Sequence, residues 1–164
     1  MTVTQGGLAN KSGSVLEGIV TGALTPHGFE VVQYRDLMAD PSAYGSELLI
    51  KNVPFTTLYD TRGKTEFLLR SAIYELEVRI ECKWQQSGGS VDEKLPHLYL
   101  SAIEAVPEND VILLVDGKGF RPGAVEWLRN AVGNRRFIPD DKLDKNIQVM
   151  DATEFMTWTN NTFR

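Results

Sequence analysis

The chain is short of several things that would each open a functional class. Its 164 residues include one cysteine, Cys82, so an internal disulfide and any cysteine-based zinc site are excluded. The 2 histidines, His27 and His97, have no catalytic motif around them and read as structural. No apolar run approaches the ~20 residues of a membrane-spanning helix. Positive charge is in deficit, with 17 Lys and Arg against 22 Asp and Glu and a net charge of −5. That balance argues mildly against a nucleic-acid partner, although the distribution of charge matters more than its sum. The first residues are rich in Gly, Thr, Ser and Asn and lack the basic start and apolar stretch of a signal peptide. Residues 1–13 are therefore expected to be a flexible arm, and the protein cytoplasmic.

The hydrophobic content of 42% and charged content of 24% are ordinary for a globular chain. The length suits one compact domain, residues 14–164. Residues 14–25 read as a helix. Ser14-Val15-Leu16-Glu17 has the pattern of a capping box, and Val15, Leu16, Ile19, Val20, Ala23 and Leu24 supply a broad apolar stripe. A short strand follows at 29–34. Residues 35–58 are ambiguous, apart from a candidate strand at 46–53 flanked by Pro41 and Pro54. Residues 65–71 and 74–85 read as a hairpin. The second of these strands alternates strictly: Tyr74, Leu76, Val78, Ile80, Cys82 and Trp84 on one face, Glu75, Glu77, Arg79, Glu81, Lys83 and Gln85 on the other. Next come a helix from about 90 to 105 containing Pro96, a buried strand at 111–115, a helix at 123–132, a short strand at 147–150 and a short helix at 152–158. This order predicts an α/β (α+β) fold, a mixed central sheet flanked by helices.

The alternating strand carries the chemistry. Glu81 and Lys83 project from one face, a carboxylate beside an ammonium. Such a pair suits a hard cation and a water or phosphate next to it. If Ser71 and Leu76 pair across the turn, the same register sets Glu66 opposite Glu81. Cross-strand neighbours lie roughly 5 Å apart, so the two acids repel unless a cation sits between them. Arg62-Gly63-Lys64 reads as a short basic loop ahead of Glu66, able to guide DNA. Lys94, and behind it Arg121 and Arg129, are further candidate phosphate contacts. The last two belong to a basic stretch at 118–136 that is as readily a solvated face. Asp116-Gly117-Lys118-Gly119 lacks the spacing of a phosphate loop and reads as a turn.

Glu66 followed on the next strand by Glu81-Cys82-Lys83 resembles the (D/E)…(D/E)XK signature of the PD-(D/E)XK nucleases. The run from Arg79 to Gln85 is similar to the matching segment of resolvase-like members, and the strand 111–115 with Asp116-Gly117 resembles the buried strand after the second core helix. The first acid is Glu66 instead of the commoner Asp, and Thr65 stands where a Pro is usual. The resemblance implies a restriction-endonuclease-like fold and a magnesium-dependent DNA endonuclease, with manganese able to substitute. Glu66, Glu81 and the backbone carbonyl of Cys82 would bind the metal, Glu17 would complete the site, Lys83 would position or activate the attacking water, and Gln85 would touch the phosphate or the water. The absence of a separate base-reading module favours a structure-selective enzyme, the resemblance to resolvase-like members implies a Holliday-junction-resolvase-like one, and a homodimer would supply DNA contact area. The alternatives are a sequence-specific restriction endonuclease and a non-catalytic binding or assembly protein with a nuclease-like fold.

Overall fold

The computed structural model describes the backbone of residues 5–164 and the side chains of residues 14–89 and 91–164. Helix α1 (Gln5–Leu24) starts well ahead of Ser14. Part of the expected arm, residues 1–4, lies outside the described residues; from Gln5 onward the backbone is helical. No proline interrupts this stretch, and nothing in it forces the helix to begin at Ser14. Ser14 thus lies inside α1 and cannot cap it. The helix gives way to a 3-10 turn, Thr25–His27, closed by Gly28. Gly28 has φ +90 and donates its N–H to Thr25 O at 3.0 Å, a left-handed turn that glycine takes without strain.

Strand β1 (Glu30–Gln33) and helix α2 (Tyr34–Ala39) follow, then β2 (Leu48–Thr56), β3 (Arg62–Ser71), β4 (Leu76–Trp84), α3 (Lys94–Glu104), β5 (Asp110–Asp116), α4 (Pro122–Gly133), β6 (Asn146–Met150) and α5 (Ala152–Thr162). The strands form one six-stranded sheet in sequence order. β1–β2, β4–β5 and β5–β6 are parallel, and β2–β3 and β3–β4 are antiparallel. The expected mixed sheet flanked by helices is therefore the fold.

Pro54 lies inside β2 instead of flanking it, paired with Lys64. β1 stops pairing at Lys51, so Pro54 sits where β2 has become an edge and its missing N–H removes nothing from a ladder there. Arg62, Gly63 and Lys64 belong to β3, not to a loop; the turn is at residues 57–61, where the Thr57 and Thr61 hydroxyls meet at 2.7 Å. The expected helix from about 90 begins with a 3-10 turn, Ser90–Glu93, before α3. Pro96 falls in the first turn of α3, where a missing N–H costs no helical hydrogen bond.

Two core layers cover the sheet. On one face Leu16, Val20 and Leu24 of α1, with Phe155 of α5 and Phe163 beyond its end, pack on Phe67, Leu69, Val78, Ile80 and Cys82. On the other, Leu95, Leu98, Tyr99 and Ala102 of α3 and Leu128 and Ala131 of α4 pack on Val111, Leu113 and Val115. β4 is antiparallel to β3 but parallel to β5, so it lies in the interior of the sheet with helices over both faces. The polar face of β4 is consequently roofed, and its charged residues are set in a partly desolvated layer.

Candidate active site

The register expected for the hairpin is the one observed: Ser71 pairs with Leu76 and Phe67 with Ile80. The turn is held by Glu47, whose carboxylate accepts the Ser71 hydroxyl and the N–H groups of Ala72 and Ile73. Pairing then stops, one step short of Glu66 and Glu81. On the other side of β3, Glu66 is level with Asn52, and these two also do not pair. Asn52 has φ 57, in the left-handed region, and is held by its Nδ2–H to Gln33 Oε1 at 2.8 Å. This residue inverts the alternation of β2, so that Ile50 and Val53 join the same core cluster. The ladder is therefore open on both sides of Glu66. Its Oε2 reaches across and accepts the Cys82 N–H at 3.0 Å. Within a strand the N–H and C=O of one residue point to the same edge. The Cys82 carbonyl accordingly faces the gap that Glu66 borders, while its thiol is buried against the α1 side.

Glu81 and Lys83 project to the other face, with Lys83 Nζ donating to Glu81 Oε1 at 3.0 Å. Both line a cavity of about 330 Å³ beneath α3, together with Lys94, His97 and Ser101. Phe55, Leu98, Ala102, Val111 and Leu113 make the rest of its wall largely apolar. Burial, then the neighbouring Glu66 carboxylate, push the Glu81 carboxyl up to about 7, and Lys83 offsets only part of this. Burial works to lower the Lys83 ammonium, but Glu81 and Glu66 outweigh it and hold Lys83 above the usual lysine value. Lys83 is thus a firm cation, suited to donating hydrogen bonds to a water or phosphate oxygen.

These groups fit a divalent ion. Two carboxylates stand against the single ammonium of Lys83, and burial, then the Glu66 charge, makes ionisation of Glu81 costly unless a cation is bound. Among the described residues no group of three His, Cys, Asp or Glu side chains is placed to hold an ion. The protein donors would be Glu66, Glu81 and the Cys82 carbonyl, and magnesium commonly takes one or two carboxylates and completes its shell with water and substrate phosphate.

The Glu81 environment has a consequence for stability. A carboxyl raised from 4.5 to about 7 binds a proton in the native state that the unfolded chain has released. Stability is therefore full below the unfolded value, falls as pH rises towards 7, and is flat above it, a loss of about 3 kcal/mol. Glu81→Gln, which mimics the protonated acid, should be more stable than the parent by about 2–3 kcal/mol at pH 8 and gain nothing at pH 4. Urea melts of both proteins in chelator measure this, and a variant less stable than the parent at the higher pH would contradict the electrostatics described.

Glu17 pairs with Lys51 at 3.1 Å on the α1 side of the sheet, away from the cavity that Glu81 lines. Gln85 lies just past β4, and its Nε2–H donates to Ser87 O at 2.6 Å instead of facing the cavity. Its backbone carbonyl accepts the Gly119 N–H at 2.8 Å, locking the ends of β4 and β5. Arg62 and Lys64 line a second, open groove of about 730 Å³ with Arg35 and Asn52. Arg121 is tied to Asp92 through its own N–H at 3.1 Å. Arg129 forms a two-point pair with Glu154, at 3.2 and 2.8 Å, and lines a separate groove beside β6 with Gln148 and Val149. Asp116 accepts the N–H groups of Gly117 and Ala152, as a turn residue does. Sequence reasoning misses His97 as a member of the site. The available signal is its spacing, one helical turn after Lys94 on α3, which sets both on one side.

A family model described as a PD-(D/E)XK nuclease superfamily domain matches residues 8–163. No curated protein and no solved structure matches the chain. The matched span includes α1 from its second turn, the open ladder at Glu66, the Glu81-Cys82-Lys83 strand and α5. The chain therefore belongs to the PD-(D/E)XK nuclease superfamily, whose members are generally nucleases and typically use divalent metal ions.

Proposed function

We propose that the protein is a magnesium-dependent DNA endonuclease that hydrolyses phosphodiester bonds at Glu66, Glu81 and Lys83, with manganese able to replace magnesium. The observation that carries this reading is the convergence of two carboxylates and a lysine where the β3–β4 ladder opens, with Glu81 raised to about 7. A bound divalent ion would supply Lewis acidity and an acidified water. Glu66 and Glu81 hold the negative charge in place, fixed by the Cys82 N–H and by Lys83. Lys83 donates to the attacking water or to a phosphate oxygen and offsets the charge that develops there. The roofed face of β4 restricts bulk water, which strengthens each of these interactions.

The preferred substrate is branched or distorted DNA, read by phosphate contacts on a rigid frame. Among the described residues the cavity and the Arg62–Lys64 groove supply such contacts, and a homodimer would extend them. Cleavage of a four-way junction, a flap and a linear duplex of matched sequence, with manganese, tests this. Cutting of the junction or flap is expected. Cutting of the duplex at one fixed sequence without preference for the others would favour a restriction endonuclease instead.

Arg62 and Lys64 give a separate prediction. The double alanine variant should bind DNA with a salt slope shallower by about one unit for each phosphate deprived of its cationic partner. An unchanged slope in an anisotropy titration would remove the groove from the DNA interface.

One observation favours a second reading, a non-catalytic binding protein on a nuclease fold: Glu17, the acid expected to complete the site, is engaged by Lys51. Absence of divalent-ion binding by the intact chain would select that reading.

A further inference from the structure

The turn between β2 and β3 presents an aromatic side chain to solvent. Tyr59 is 75% exposed. A single exposed aromatic is ordinary, but this one is held in position. Thr57 N–H donates to Thr61 O at 2.9 Å, Asp60 N–H to Thr57 O at 3.0 Å, and Tyr59 N–H to the Thr57 hydroxyl at 3.3 Å. Asp60 takes the left-handed conformation, with φ 56, that so tight a turn requires. The Tyr59 ring stacks on His97 of α3, with centroids 5.8 Å apart and planes at 24°. Thr57 and His97 both line the cavity that also carries Glu81, Lys83 and Lys94. A flat π surface is thus fixed beside a cavity whose floor is apolar and whose charged members are the acid, a lysine of the candidate site and a second lysine.

We propose that Tyr59 and His97 form a stacking platform for an unpaired nucleobase of the strand being cut, next to the scissile phosphate. The inference rests on the nuclease reading above and names the substrate feature that the site selects. Every base presents a π face, so such a platform is tolerant of sequence but requires the base to be unpaired. A base in an intact duplex is stacked on its neighbours and must be unstacked at a cost before it can use the platform. Lys94 and Lys83 would meet the phosphates on either side of that base. The platform therefore converts a general phosphate site into one that favours single strands, flaps and junction arms with unpaired nucleotides.

The test uses the full chain with calcium as the added ion and a single-stranded oligonucleotide carrying 2-aminopurine, whose fluorescence falls when it stacks. Wild type and Tyr59→Phe should bind it and quench it. Tyr59→Ala should bind roughly 5- to 100-fold more weakly, without quenching, while its affinity for a blunt duplex stays unchanged. The circular dichroism spectrum of Tyr59→Ala should match that of the parent, because the substituted side chain is exposed. If Tyr59→Ala binds and quenches like the wild type while the wild type cuts DNA, the platform is overturned and the nuclease reading stands. If the wild type binds no DNA in any form, both fall together.

Discussion

Lys83→Ala should cut DNA on the order of 10²–10³-fold more slowly than the parent, with its fold and most of its DNA affinity retained. The Lys83 ammonium is hydrogen-bonded to a site carboxylate, at 3.0 Å from Glu81. It is also held above the usual lysine value by the two acids, against the effect of burial, so it enters the reaction as a cation. Its side chain is about a third exposed, at 34%, and lines an existing cavity. Truncation enlarges that cavity and opens no new void in the packed layers. Loss of Lys83 also removes the main group that opposes the rise at Glu81, ahead of Arg79, so ion binding by the variant should shift to higher pH. Single-turnover cleavage and a circular dichroism melt on one preparation measure both sides of this prediction. A variant that cuts at the parental rate would remove Lys83 from the chemistry.

Arg79→Ala should destabilise the protein by about 3–5 kcal/mol, the usual effect of breaking a buried pair by deleting one partner. Arg79 lies on the same strand face as Glu81 and Lys83 yet is only 2% exposed. Its guanidinium forms a two-point pair with Glu108, Nε to Oε2 at 2.7 Å and Nη2 to Oε1 at 2.8 Å. Nη1 donates to the Thr65 hydroxyl at 2.9 Å and to Val53 O at 3.2 Å. These hydrogen bonds tie β4 to β2, to β3 and to the segment before β5, immediately below the point where the ladder opens at Glu66. Alanine would leave the Glu108 carboxylate and the buried Thr65 hydroxyl without this donor. Urea unfolding of parent and variant tests the magnitude, and a change within about 1 kcal/mol would show that the network is dispensable.

The strict alternation of residues 74–85 and the short span from Ser71 to Leu76 are enough to place Glu66, Glu81 and Lys83 in one neighbourhood. That part is legible because strand period and hairpin register are local properties. The burial of the polar face is not. It depends on β4 pairing in parallel with β5, a contact between strands separated by a helix, and only this brings α3 over Glu81. The left-handed Asn52 is equally hidden, since an asparagine in an apolar strand signals a loop as readily as a distortion. For Arg79 an ion pair is foreseeable but its partner Glu108 is not. Arg129 illustrates the limit of charge counting: a basic cluster in sequence dissolves when one member pairs with Glu154 and another, Arg135, donates to the carbonyls of Leu143 and Lys145. Caps set helix boundaries unevenly. Ser14 is internal to α1 despite its capping-box pattern, whereas the capping box that does form joins Asp151 and Glu154 at the start of α5.

Glu66 and Glu81 should converge on one divalent-ion site. Calorimetric titration of manganese into the wild type and Glu81→Ala, at about pH 8 where Glu81 is ionised, measures it directly. Saturable binding by the wild type, abolished in Glu81→Ala, is the expected result. Equal binding by both proteins would contradict it.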